Sequence, residues 1–170
     1  MPDLSPTVID PELTQRLGQI VIRWTSLEGW ISALLAHMVQ ADPGGMMLAV
    51  NNVAVSTQMK WIRGLMSVRS HEAEDNARIQ KLLERAEDIR SERNELVHGI
   101  WDATNCEPGT AMVHTMSLDR PEIIRDRLVT LHDLDQLVIE IDDWIADYIK
   151  LGRELGFPRV RGGEKSIFTD

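Results

Sequence analysis

Residues Asp10–Met38 read DPELTQRLGQIVIRWTSLEGWISALLAHM, and the spacing of apolar side chains within this run decides the fold class. Leu13, Leu17, Ile20, Val21, Trp24, Leu27, Ile31, Leu34, Leu35 and Met38 recur in steps of one, three and four, which is helical spacing. Asp10-Pro11-Glu12 supplies the start signal: an N-cap carboxylate, a proline where its missing N–H costs nothing, and an acid near the positive helix end. The break at Asp42-Pro43-Gly44-Gly45 is expected to end this helix.

Further along, Met46–Val50 is a short apolar piece, and Ser56 is expected to cap a second helix with Met59, Ile62, Leu65 and Met66 on one face. Ser70 is expected to open a third, antiparallel to the second, whose stripe runs through Ile79, Leu82, Ala86, Ile89, Leu96 and Val97 until Gly99 stops it. The period then changes. Ile100–Thr104 and Thr110–Met116 are β-tolerant runs around the turn signal Pro108-Gly109, which predicts a hairpin. Thr130 and Asp133 resemble a capping box with the acid one carbon short, ahead of a last long helix carrying Leu131, Leu134, Leu137, Val138, Ile141, Ile145 and Tyr148. Gly152 and Gly156 are expected to let its end fray. The fold class implied is mainly α: an antiparallel four-helix bundle with a small β-hairpin inserted before the last long helix. Residues 1–170 are expected to form a single domain, with 157–170 a flexible tail of Pro, Gly and charge.

A chain of 170 residues suits one domain, and its 43% hydrophobic and 26% charged fractions suit a globular one. The net charge of −9 argues against a nucleic-acid binder driven by bulk electrostatics, so contact with RNA would have to be local. Cys106 is alone and can close no internal disulfide, which points to a reducing compartment and makes the cytoplasm the expected location. The apolar run Trp30–Val39 is far shorter than the roughly 20 residues a membrane helix needs, and the first residues carry no signal-peptide pattern, so no membrane association is expected.

Chemistry concentrates at the end of the third helix. Following its stripe from Leu82 through Ala86 and Ile89 leads next to position 93, which is arginine. A guanidinium aimed at a core is unfavourable unless paired, so Arg93 either reaches solvent near the helix end or meets an acid or a phosphate. Glu28, beside Trp24, Leu27 and Ile31 on the first helix, is the candidate acid. Such a pair would serve equally as a lock on the fold or as a clamp that readies Arg93 for a ligand. His98 follows five residues later, about 140° around a regular helix, so one helix does not present both side chains on one face. Asn94 lies one turn before His98, a spacing at which an amide can hydrogen-bond an imidazole and fix its tautomer.

The run Arg90-Ser91-Glu92-Arg93-Asn94-Glu95-Leu96-Val97-His98-Gly99-Ile100-Trp101 resembles the signature of the HEPN family: an arginine, often followed by a polar residue, and a histidine separated from the arginine by four to six residues. Arg93, Asn94 and His98 match its four-residue version. The resemblance implies a helical bundle acting as a metal-independent endoribonuclease, a type that includes toxins of toxin–antitoxin pairs. On that basis Arg93 binds the scissile phosphate, His98 transfers protons and Asn94 orients the imidazole, with Glu28, Arg90 and Trp101 in support. It also implies a homodimer in which two motifs line one cleft, with RNA or a nucleotide as ligand and an antitoxin protein as partner. Relatives that have lost catalysis offer the other expectation, a non-catalytic interaction or nucleotide-binding module.

No cofactor or metal is expected. Glu95-Leu96-Val97-His98 is a single Glu-x-x-His, whereas a two-metal helical site needs a second copy and two more glutamates. His71, Glu72, Glu74 and Asp75 crowd a helix start, where acids simply favour the positive end. Of the five tryptophans, Trp24 lies in an apolar stripe and most suit a core or an interface, while Trp101 is placed to line a cleft.

Overall fold

The computed structural model describes residues 9–68, 73–116 and 124–157. Among them the chain is mainly helical, with a small antiparallel sheet before the last helix. The elements are α1 (Pro11–Val39), α2 (Pro43–Ala49), α3 (Val55–Val68), α4 (Ala73–His98), β1 (Ile100–Asp102), β2 (Thr110–Met116), β3 (Ile124–Thr130) and α5 (Leu131–Leu155). No described helix is long and apolar enough to cross a membrane. Ser70, the expected cap of α4, and residues 158–170 of the expected tail lie outside the described residues, as do His71 and Glu72.

The residues fall into two compact units, Met1–Trp24 with Asp88–Asp143, and Thr25–Glu87 with Trp144–Asp170. In the first, the expected hairpin is a three-stranded meander in the order β1-β2-β3. The extra strand pairs along its whole length with β2, from Thr110 opposite Thr130 to Met116 opposite Ile124. Ala111, Val113 and Val129 are fully buried on the inner face, while Ile100, Met116, Ile124 and Leu128 stand exposed on the outer one. β3 was hidden in the sequence because its alternation is inverted. Its inner positions include Arg125 and Arg127, and its outer ones include Ile124 and Leu128.

The turn before β2 ties two helix starts together. Asp10 caps α1 by accepting from Glu12 N at 2.8 Å, and its other oxygen accepts from Gly109 N at 2.9 Å. The Gly109 carbonyl in turn accepts from Leu131 N, the first residue of α5, at 3.1 Å. Gly109 has φ of +75°, a conformation that glycine adopts without a Cβ penalty. The box at α5 closes reciprocally: Thr130 N donates to Asp133 Oδ2 at 2.8 Å and Asp133 N to Thr130 Oγ1 at 3.1 Å. Burial opposes the charge on Asp133, but the Thr130 hydroxyl and amide, with Arg127 nearby, outweigh it and hold the carboxyl below its ordinary pKa.

In the second unit the helix ends differ from their sequence reading. α1 stops at Val39 because Gln40 turns left-handed (φ 57°), letting Gln40 N reach His37 O and Ala41 N reach Ala36 O. Asp42-Pro43-Gly44-Gly45, read as a stop, is a start: Asp42 caps α2 through Gly45 N at 2.7 Å, with Pro43 at the first helical position. Ser56 is the second residue of α3 and not its cap, although the expected face of that helix carries buried Met59 and Ile62. α5 does not fray. Gly156 (φ 71°) lets Phe157 N donate to Gly152 O at 2.7 Å, and Phe157 is buried against His37 and Tyr148 at ring distances of 4.5 and 5.7 Å. A Cβ on Gly152 would lie 3.0 Å from that ring. Antiparallel pairing of α4 with α5 follows from their bonds, since Arg78 meets Glu154 while Arg85 meets Asp147, and Trp144 Nε1 donates to Leu82 O at 2.8 Å.

Candidate functional site

The first unit holds the motif. α4 carries Arg93, Asn94 and His98, with His98 its last residue. What ends the helix there is crowding. A Cβ on Gly99 would sit 2.3 Å from Val113 Cγ1 on β2 and 2.6 Å from the Glu95 carbonyl oxygen, so only glycine lets the chain turn from helix into β1 this tightly. Its φ is not positive, unlike those of Gly109 and Gly156, so the helix stops at Gly99 by this close approach and not by a left-handed cap. The last carbonyls still find donors: Gly99 N reaches Glu95 O at 3.0 Å, and the Trp101 indole Nε1 reaches Leu96 O at 2.7 Å. Trp101, half-buried, therefore fastens the turn that displays His98, and His98 itself is exposed.

Arg93 is half-buried, as expected of a cation on an apolar stripe. Its Nη1 donates to Asn94 Oδ1 at 2.9 Å, and its Nε is buried with no hydrogen-bond partner. Structure and sequence thus bring Arg93 and Asn94 together in a different sense from the one expected. The Asn94 oxygen accepts from the guanidinium and keeps a second lone pair, while its amide nitrogen can only donate to a ring-nitrogen lone pair. Glu28, expected as the acid for Arg93, belongs to the second unit, where its carbonyl lies 3.0 Å from the hydroxyl of buried Ser32. Arg90 is half-buried one turn before Asn94.

Sequence reasoning missed the neighbour from the sheet. Arg127 on β3 donates to Glu92 on α4 at 2.7 Å, with both side chains about one-third exposed (32% and 31%). Burial disfavours the Arg127 charge, but Glu92, Glu95 and Asp133 outweigh it and raise its pKa above the ordinary arginine value. The only signal available was Arg127 itself, an inward charge on a strand the alternation did not reveal. On the outer face, His114 Nδ1 and Asp126 Oδ1 are 2.8 Å apart on directly opposite positions of β2 and β3. No group of three or more His, Cys, Asp or Glu among the described residues is arranged to hold a metal ion. No protein-family model matches the chain, and neither a curated protein nor a solved structure does.

Proposed function

We propose that the protein is a metal-independent endoribonuclease of the HEPN type, working in the cytoplasm as the toxin of a toxin–antitoxin pair. The observation that carries this reading is the placement of His98, exposed at a fastened helix end, five residues after an arginine already oriented by Asn94 and holding an unspent Nε. In this reading α1, α3, α4 and α5 pack as an antiparallel four-helix bundle, and two copies join through α4. The roughly 140° between Arg93 and His98 on one helix is what requires the second copy: one chain supplies the guanidinium and the other the imidazole.

The chemistry is transesterification. His98 accepts the proton of the ribose 2′-hydroxyl, the freed oxygen attacks the adjacent phosphorus, and the bond to the 5′-oxygen breaks as that oxygen takes a proton from water. Arg93 stabilises the charge growing on the phosphoryl oxygens, which a guanidinium can meet with two parallel N–H donors. The products are a 2′,3′-cyclic phosphate and a 5′-hydroxyl. The test is incubation with mixed RNA in EDTA: wild type yields cyclic-phosphate ends and His98→Ala does not, whereas equal cleavage by both would remove His98 from the mechanism.

A second reading, a HEPN-like module that binds a protein or nucleotide without catalysis, is favoured by the acids around the motif. Glu92 and Glu95 flank Arg93, and Arg127, the cation brought by the sheet, is already neutralised by Glu92. Under this reading wild-type protein cleaves no RNA, and Arg93→Ala reads out only as lost stability.

A further inference from the structure

A second set of cations meets in the other unit, where α4 and α5 run antiparallel around a cavity of about 210 Å³. Arg78, Lys81, Arg85 and Lys150 line it, against one lining acid, Asp147, in a chain whose net charge is −9. Their order along the two helices fixes the arrangement. Arg78 with Glu154 closes one end and Arg85 with Asp147 the other, each pair seven residues from the next on both helices. Lys81 and Lys150, both exposed, fall between the pairs, one from each helix, and buried Leu82 and Leu151 also line the cavity. Among the described residues neither ammonium group is in an ion pair, although Glu154 lies within electrostatic reach of Lys150 and Asp75 is 3.7 Å from Arg78.

We propose that this cavity is a binding site for a phosphate monoester. Two unpaired ammonium groups brought into one cavity repel each other, and a dianion between them turns that repulsion into attraction. A terminal phosphate carries about −1.5 to −2 at neutral pH, which matches the pair, whereas a carboxylate or a backbone diester carries −1. The end arginines are held in place by Asp147 and Glu154 and keep further N–H donors for the phosphate oxygens. The site stands apart from the Arg93–His98 reading and requires no catalysis.

The phosphate can belong to a free nucleotide or to the end of a nucleic acid. Full-length protein labelled with nitrogen-15 is titrated with inorganic phosphate, AMP, and a DNA oligonucleotide bearing either a 5′-phosphate or a 5′-hydroxyl. DNA lacks the 2′-hydroxyl, so RNA cleavage cannot intrude on the result. The expected result is that AMP or the 5′-phosphorylated strand shifts the amides of Lys81, Leu82, Lys150 and Leu151. Lys81→Gln with Lys150→Gln then weakens binding at least about tenfold, while arginine at both positions restores it. Tighter binding of AMP identifies a free nucleotide, and tighter binding of the phosphorylated strand identifies a nucleic-acid end. The proposal is overturned if none of the phosphates moves these amides, if the glutamine variant binds equally well, or if the 5′-hydroxyl strand binds as tightly as the phosphorylated one.

Discussion

The hydroxyl of Tyr148 is buried without a hydrogen-bond partner, and burial alone pushes its pKa above that of an ordinary phenol. Its ring is well used, stacked on Trp144 at 5.6 Å and tilted against Trp30 at 5.2 Å, so the cost is confined to one oxygen. An unsatisfied buried hydroxyl costs about 1–3 kcal/mol. Tyr148→Phe is therefore expected to leave the urea midpoint unchanged or raise it, and a clear fall would mean that the oxygen has a partner. Asp133 works in the other direction. Its folded pKa is depressed, so its contribution to stability is present above the unfolded carboxyl value near ~3.9 and is lost as pH falls through the lower folded value. Asp133→Ala is expected to cost about 1 kcal/mol at pH 7, the typical worth of a cap. That difference should close as the pH drops below about 4, and a difference that persists at pH 2 would assign the loss to packing.

The junction of α4 with β1 is where the elements depend most closely on one another. Gly99→Ala places a methyl group against Val113 and the Glu95 carbonyl, and a clash with fixed backbone is expected to cost at least about 2 kcal/mol by denaturant unfolding. Trp101→Phe keeps an aromatic ring, though a smaller one, and removes the donor to Leu96 O, so a loss of at least about 1 kcal/mol is expected, with increased amide exchange in the last turn of α4. Helix existence was legible in the sequence because the apolar stripes of α1, α3, α4 and α5 are long. Helix ends were less so. Asp42-Pro43 signals a beginning, but next to two glycines and after a long helix it reads as an ending, and the true stop rests on a left-handed Gln40 that no residue preference announces. The third strand escaped because Arg125 and Arg127 occupy its inward positions, the reverse of the usual pattern. Along the sequence the α4 cations alternate with acids such as Glu84, Glu87 and Asp88, which hides any grouping. Read around the helix, Arg78, Lys81 and Arg85 share a side, and Lys150 on α5 completes the group only once the helices pair.

For the whole molecule the account stands or falls on two chains building one site. Arg93 and His98 were legible as a pair from a motif, but the motif does not say whether one chain can use both, and α4 runs unbroken through both positions. The homodimer is expected by light scattering at micromolar concentration, and a monomer there would leave each chain with half a site. The most direct measurement mixes two inactive proteins, Arg93→Ala and His98→Ala, after partial unfolding to exchange chains. If each site takes Arg93 from one chain and His98 from the other, a mixed dimer retains one intact site of two. Random pairing then restores about one quarter of wild-type RNA cleavage in EDTA. If each chain carries its own complete site, every site in the mixture lacks one residue, and cleavage stays at the level of the separate variants, which would contradict the composite site.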